Sequence, residues 1–249
     1  MPDYPFTWMM VFLRALGVVV FMPEFAGYSP PMMVRMGFTM LLATLVAGVV
    51  PLAHMPPDLW HLCLSAGSEV LLGLALGFVV RLIFAGVDFA GRLTSSEVGL
   101  AAAPGFAGPD ISSAPLTSML GAFAIILFFL FGGHLAVIGA FSRTFAFAGP
   151  GNASVSRVAI DQVVVGTAHV IELGVRIASP FIGLNFLVTL AFAALGRTLP
   201  RVQVYVVSMS IRALLGLALL ASAGTLIARH LYVEFQALPE RMLELVALR

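Results

Sequence analysis

Few residues in this chain have both the types and the spacing that chemistry requires. His54, Asp58 and His61 stand at i, i+4 and i+7, which on an unbroken helix would gather three metal ligands on one face. Pro56 and Pro57 fall between them and interrupt any such helix, so no metal site is expected there. The sequence holds no phosphate-binding P-loop, no HExxH, no GxSxG and no dinucleotide fingerprint. With no nucleophile–base pair or ligand cluster to work with, the chain is expected to be no enzyme and to need no cofactor. The residues that demand an explanation are Arg14, Glu69, Glu172, Arg176 and Arg212, because each lies well inside a hydrophobic segment. A charge at a helix centre costs about 2.5–3.5 kcal/mol on insertion, so five facing lipid would cost roughly 15 kcal/mol, as much as the net stability of an ordinary domain. These five must therefore face protein or water. Glu172 and Arg176 are four apart and can pair on one helix face, as can Asp88 and Arg92, whereas Arg35 and Arg81 lie near segment ends and can reach outward.

The elements that position these residues follow from composition. Of 249 residues, 60% are hydrophobic and 10% charged, with a mean hydropathy of +1.05. A soluble domain carries about 25% charged residues, so the composition is that of a membrane protein. The net charge of +1 comes from 13 basic residues, all Arg, and 12 acidic ones, which excludes a polybasic nucleic-acid arm. A single cysteine, Cys63, excludes an internal disulfide framework. The opening MPDYPFTWMM has an acid and two prolines where a signal peptide needs basic residues, so no cleaved leader is expected. Six hydrophobic segments, 6–22, 32–53, 62–87, 116–142, 163–195 and 202–228, are candidates to cross a bilayer. Pro180 leaves 163–195 either one kinked span or two helices. Arg residues divide almost evenly between the two sides of such a topology, and orientation stays open.

Three further patterns bear on assembly. Gly73 and Gly77 form a GxxxG that lets a neighbouring backbone approach, either within the chain or on a partner subunit. Met32, Met36 and Met40 make a helical stripe suited to subunit contact. The segment 99–118 is rich in Gly and Pro, has one charge at Asp110 and little helix propensity, yet joins two apolar segments. Irregular backbone at membrane depth is tolerated only in protein or beside water, so this segment is either an exposed connection or the lining of a cavity.

The stretches RALGVVVFMPEFAGYSPPMMVRMGFTMLLA (14–43), EVLLGLALGFVVRLIFAGVDFAGRLTSSEVGLAAAPGF (69–106), FFLFGGHLAVIGAFSRTF (128–145) and LGRTLPRVQVYVV (195–207) resemble the FliR-type export-gate family, the flagellar members of the type III secretion gate proteins. The match follows the family's order over most of the chain. It departs in the stretch Leu195-Gly196-Arg197, where members usually have an Asn before the Arg, and at Ser208–Ile211, where they have a Gly-Phe-Pro-Leu run; Ser210 in place of that proline puts the bend of the last helix in question.

The resemblance implies an all-α protein of long bent hairpins, a single export-gate domain over 1–249. About 1–180 would resemble the larger, and about 181–249 the smaller, of two hydrophobic partner subunits. It implies a non-enzymatic subunit of the flagellar export pore, through which unfolded protein substrates pass, in the bacterial inner membrane and the flagellar basal body. The implied partners are several copies of the two smaller subunits, the larger export-gate and switch components and membrane lipid, with no nucleic acid. It places a pore-closing plug at Gly105, Phe106, Ala107, Gly108, Pro109, Asp110 and Ile111, and a structural turn at Gly132, Gly133 and His134. The alternatives are the equivalent subunit of a virulence-type secretion system, or a small-solute or ion transporter with a midplane site at Glu172, Arg176 and Arg212.

Overall fold

The computed structural model describes residues 4–21, 31–99, 115–153, 157–198 and 204–247. Among them the chain is all-α: α1 (Tyr4–Val20), α2 (Met32–Ala47), α3 (Leu59–Val98), α4 (Pro115–Leu130), α5 (Gly133–Phe147), α6 (Arg157–Thr198) and α7 (Val204–Ala247). The expectation of six crossing segments is corrected in detail. Among the described residues, three helices are long and apolar enough to cross a membrane: Leu59–Val98, Val164–Arg197 and Val207–Val246. A fourth candidate is the bent pair Leu116–Leu130 and Gly133–Phe147. The helices α1 and α2, of 17 and 16 residues, rise only about 25 Å each, short of the roughly 30 Å hydrocarbon core.

Local chemistry accounts for the breaks and for their absence. The 116–142 segment divides at Gly132, whose φ of +71° a residue with a side chain seldom adopts, and its carbonyl accepts the N–H groups of Leu135 and Ala136 to start α5. Pro180 does not divide α6. A proline cannot donate to the carbonyl four residues back, and the Ser179 hydroxyl donates to that carbonyl, of Arg176, at 2.9 Å instead. With Ser at 210, α7 also runs unbroken through the place where the family's proline was missed.

Two compact units share the chain: 1–83, 128–168 and 234–249 form one, and 84–127 and 169–233 the other. The helices α3, α4, α6 and α7 each contribute to both. In unit 1, α1 buries Met10, Val11, Arg14, Ala15 and Val18, a face with helical period. Phe128 and Phe235 meet edge to face at 5.3 Å, and the last turns of α7 bury Leu238, Met242 and Leu245. In unit 2, Leu173, Ile177 and Phe181 of α6 are buried, with Leu120 and Ala124 of α4.

Candidate functional site

The α1–α3 seam of unit 1 is built on glycine. A Cβ at Gly17 would lie 2.6 Å from the Gly73 carbonyl carbon, one at Gly77 would lie 2.7 Å from the Val18 oxygen, and one at Gly73 would collide with the backbone of Arg14. Because the obstructing atoms are backbone, no rotamer change makes room. The close neighbour of this GxxxG is thus α1 of the same chain. Gly17, its counterpart, was not expected from the sequence.

One turn along from these glycines lies an ion pair with no solvent exposure at either side chain, Arg14–Glu69. Arg14 Nε donates to Glu69 Oε2 at 2.6 Å and Nη2 to Oε1 at 3.0 Å, the two-pronged geometry a guanidinium suits. Nη1 donates to the Thr144 hydroxyl and Nη2 also to the Ala148 carbonyl, both at 3.0 Å. Glu69 Oε1 accepts the Gly151 N–H at 2.8 Å, and the Phe145 ring lies 3.8 Å from the guanidinium carbon. The node therefore ties α1, α3, α5 and the turn after α5 together, with its charges matched inside the protein. Of these contacts the sequence indicated only that Arg14 and Glu69 would be shielded; Thr144, Ala148 and Gly151 carried no recognisable signal.

At the turn before α5, a Cβ on Gly133 would meet the Phe128 ring at 2.5 Å. The His134 ring lies 5.0 Å from that of Phe129, and its Nδ1 is buried without a hydrogen-bond partner. The hydrogen bond expected of a core histidine is not made at that nitrogen; ring contact stands in its place.

Unit 2 treats its charges differently. Glu172 pairs with Arg176 as the spacing predicts, but the side chains are 51% and 55% exposed, and His169 Nδ1 approaches Glu172 Oε2 at 3.3 Å. Arg212 Nη2 donates to the Thr189 hydroxyl at 3.1 Å, joining α7 to α6, while Asn185 Nδ2 donates to Glu97 Oε2 and joins α6 to α3. Arg92 and Asp88 pair at 2.9 Å, exposed. Glycines again set the helix spacing: a Cβ on Gly91 would meet the Thr117 Cα at 2.7 Å, and Gly86 faces Leu173. Residues Gly105, Phe106, Ala107, Gly108, Pro109, Asp110 and Ile111 lie outside the described residues. His61 pairs with Asp58 at 3.2 Å in the open, and no three potential ligands converge among the described residues. Met32 and Met40 of the α2 stripe are 77% and 50% exposed, and Met36 between them is partly buried.

Taken together, these arrangements define an all-helical protein of membrane type whose polar residues fasten helices to one another. The family described as Bacterial export proteins, family 1, matches residues 6–238, and the chain belongs to it. It is 27% identical to the flagellar biosynthetic protein FliR of Escherichia coli (strain K12) over 89% of this chain and 87% of that one. Against the FliR protein of Caulobacter vibrioides it is 30% identical over 85% and 86%. The Yop proteins translocation protein T of Yersinia pestis is 25% identical over 67% of this chain and 65% of its own.

Proposed function

We propose that the chain is a subunit of the flagellar type III protein export gate and forms part of the pore through which unfolded flagellar substrates leave the cell. The carrying observation is the family match from residue 6 to residue 238, together with relatives named as flagellar biosynthetic proteins over nearly the whole chain. The virulence-type relative covers a smaller share, 67% of the chain, which favours the flagellar reading over the injectisome one. In this reading the protein is no catalyst. It acts in the inner membrane, within the basal body, beside several copies of two smaller hydrophobic subunits and the larger gate and switch components. Its first 180 residues or so would stand for the larger small-subunit type and 181–249 for the smaller.

The exposed apolar side chains of α2, α6 and α7, among them Met33, Leu45, Phe186 and Leu214, support a chain whose faces are covered by lipid and by other subunits. The plug assignment to 105–111 follows from the Gly- and Pro-rich sequence of that segment and from the resemblance.

The test is removal and rescue. Deleting the gene should abolish motility and flagellar export, and co-expression with the two small subunits should yield a discrete hetero-oligomer by native mass measurement. A monodisperse protein recovered alone, with no gain from the partners, overturns the reading. For the plug, deleting residues 106–111 should leave the gate assembled but leaky to small ions; an assembled and ion-tight deletion removes that assignment.

A further inference from the structure

Beside the turn at Gly132, unit 1 holds a hollow of about 70 Å³ that is open on one side. Val19 of α1, Leu42 of α2, Val80 of α3 and Phe141 of α5 form its buried floor. Phe38, Phe129 and Val137 stand partly exposed at its mouth, together with His134. His134 is the one polar side chain among the described lining residues, and its Nδ1 is shut off from solvent with no hydrogen-bond partner. A native core rarely leaves such an atom bare.

The apolar lining and the orphaned nitrogen together decide what fits. An ordered water needs about two to four polar partners and would find a single polar side chain here, so the hollow is no water site. An acyl chain or an aliphatic side chain suits the walls and leaves Nδ1 bare. Serine, threonine or a side-chain amide reverses the fault, because the hydrogen-bonding group arrives with too little apolar surface to cover the floor. Lysine or arginine would carry a charge into an apolar hollow. Indole only donates, and its two rings exceed the space. A phenol meets both requirements: its ring covers the walls, and its hydroxyl donates or accepts, so it suits either tautomer of His134. The volume then fixes how the phenol is presented. Free benzene takes an apolar cavity of about 150 Å³, roughly twice this one, so only the outer part of a ring enters and the rest stays between Phe38 and Phe129 at the mouth. A phenol held by its far end is a tyrosine side chain.

We propose that this hollow receives the tip of a tyrosine side chain from a neighbouring gate subunit, with the tyrosine hydroxyl hydrogen-bonded to His134 Nδ1. This rests on the export-gate reading and adds to it a named socket on this chain. Leu130 and Leu135, next in sequence to Phe129 and His134, are exposed, so a subunit face laid over the mouth also buries apolar surface around the anchor. A ring seated in a pocket with its hydroxyl paired concentrates binding energy at one point and sets the register of the face that carries it.

The test uses the gate assembled with its partner subunits. Photo-reactive azidophenylalanine in place of Phe129 keeps the ring at the mouth and should capture a partner subunit, with the link mapping to a tyrosine or its immediate neighbours. His134→Phe keeps a ring and removes the nitrogen, and it should lower the amount of partner subunit retained after a detergent challenge roughly five-fold. Phenylalanine in place of the captured tyrosine should do the same, and the two changes together should lose no more than either alone. Capture of lipid, of this chain's own Tyr28 or of a partner position without a tyrosine overturns the proposal. So do an absence of capture, unchanged retention in the single variants, and losses that multiply in the double one. Where His134→Phe prevents assembly outright, the crosslink at position 129 still decides. Failure of the export-gate reading looks different: export would then persist in cells lacking the chain.

Discussion

Both units of this protein place a glutamate and an arginine inside long apolar helices, and they handle them in opposite ways. Arg14 and Glu69 are 55 residues apart, wholly buried, and held by further bonds from Thr144, Ala148 and Gly151. Glu172 and Arg176 are four residues apart and half exposed on a single helix. A pair within one helix can form as soon as that helix does and fixes nothing beyond it. A pair drawn from two helices exists only when both are docked in one register, so it reports on and enforces tertiary structure. A charged pair in a hydrophobic segment therefore has two meanings here: Arg14–Glu69 fastens helices together, and Glu172–Arg176 is a half-exposed pair within one helix.

The strongest way to break this contrast is to replace Gly73 by Leu. The side chain would push against the Arg14 backbone and lift α1 away. The loss would then combine overpacking, about 1–3 kcal/mol, with failure of the buried pair, about 3–5 kcal/mol. No assembled gate should be recovered on native gels, and Gly77→Leu should behave alike. Normal abundance of either variant would show that the seam tolerates separation.

Next in size is Arg14→Ala, which strands Glu69 in a dry core and should destabilise unit 1 by about 3–5 kcal/mol, with Arg14→Met, Glu69→Leu together recovering a large part of it. Thermal unfolding of the detergent-solubilised gate measures both. Thr144→Val removes one charged hydrogen bond at nearly constant volume and should lower stability by about 1.5–3 kcal/mol. The smallest stability effect is expected for Glu172→Gln, about 0.5 kcal/mol or less after solvent screening. An equally large loss of folded protein from Glu172→Gln and Arg14→Ala would erase the distinction between the two pairs.

Much of this was legible in the sequence, for reasons that can be named. The helical class, the need to shield Arg14 and Glu69, and the Glu172–Arg176 pairing follow from hydropathy and from three- and four-residue spacing. What sequence reading lacked was the pairing between distant segments. A clue was nevertheless present: Arg14 stands three residues before Gly17, and Glu69 four before Gly73, so each helix carries its charge and its small residue on the same face. Two such faces suit each other. Segment ends were harder to read. Pro180 allows a break by its residue type, but the hydroxyl at Ser179 meets the carbonyl the proline leaves bare, and α6 continues. Conversely, hydropathy alone shows no break in 116–142; only the resemblance indicated the turn at Gly132, Gly133 and His134, which depends on a backbone angle and not on polarity.

The division of the chain between the units also sets a timetable for its making. Unit 1 contains α1, which is synthesised before the other described helices, and also residues 234–249. Phe235, Leu238 and Met242 are buried in it, and Phe235 closes on Phe128. Helices synthesised early must therefore wait, with part of their apolar surface uncovered, until α7 has been translated almost to its last turn. During that interval the nascent protein is at its most vulnerable to aggregation and degradation. A premature stop anywhere before residue 234 leaves unit 1 open, so truncated products should be cleared by proteases and should not poison the assembly of complete gates.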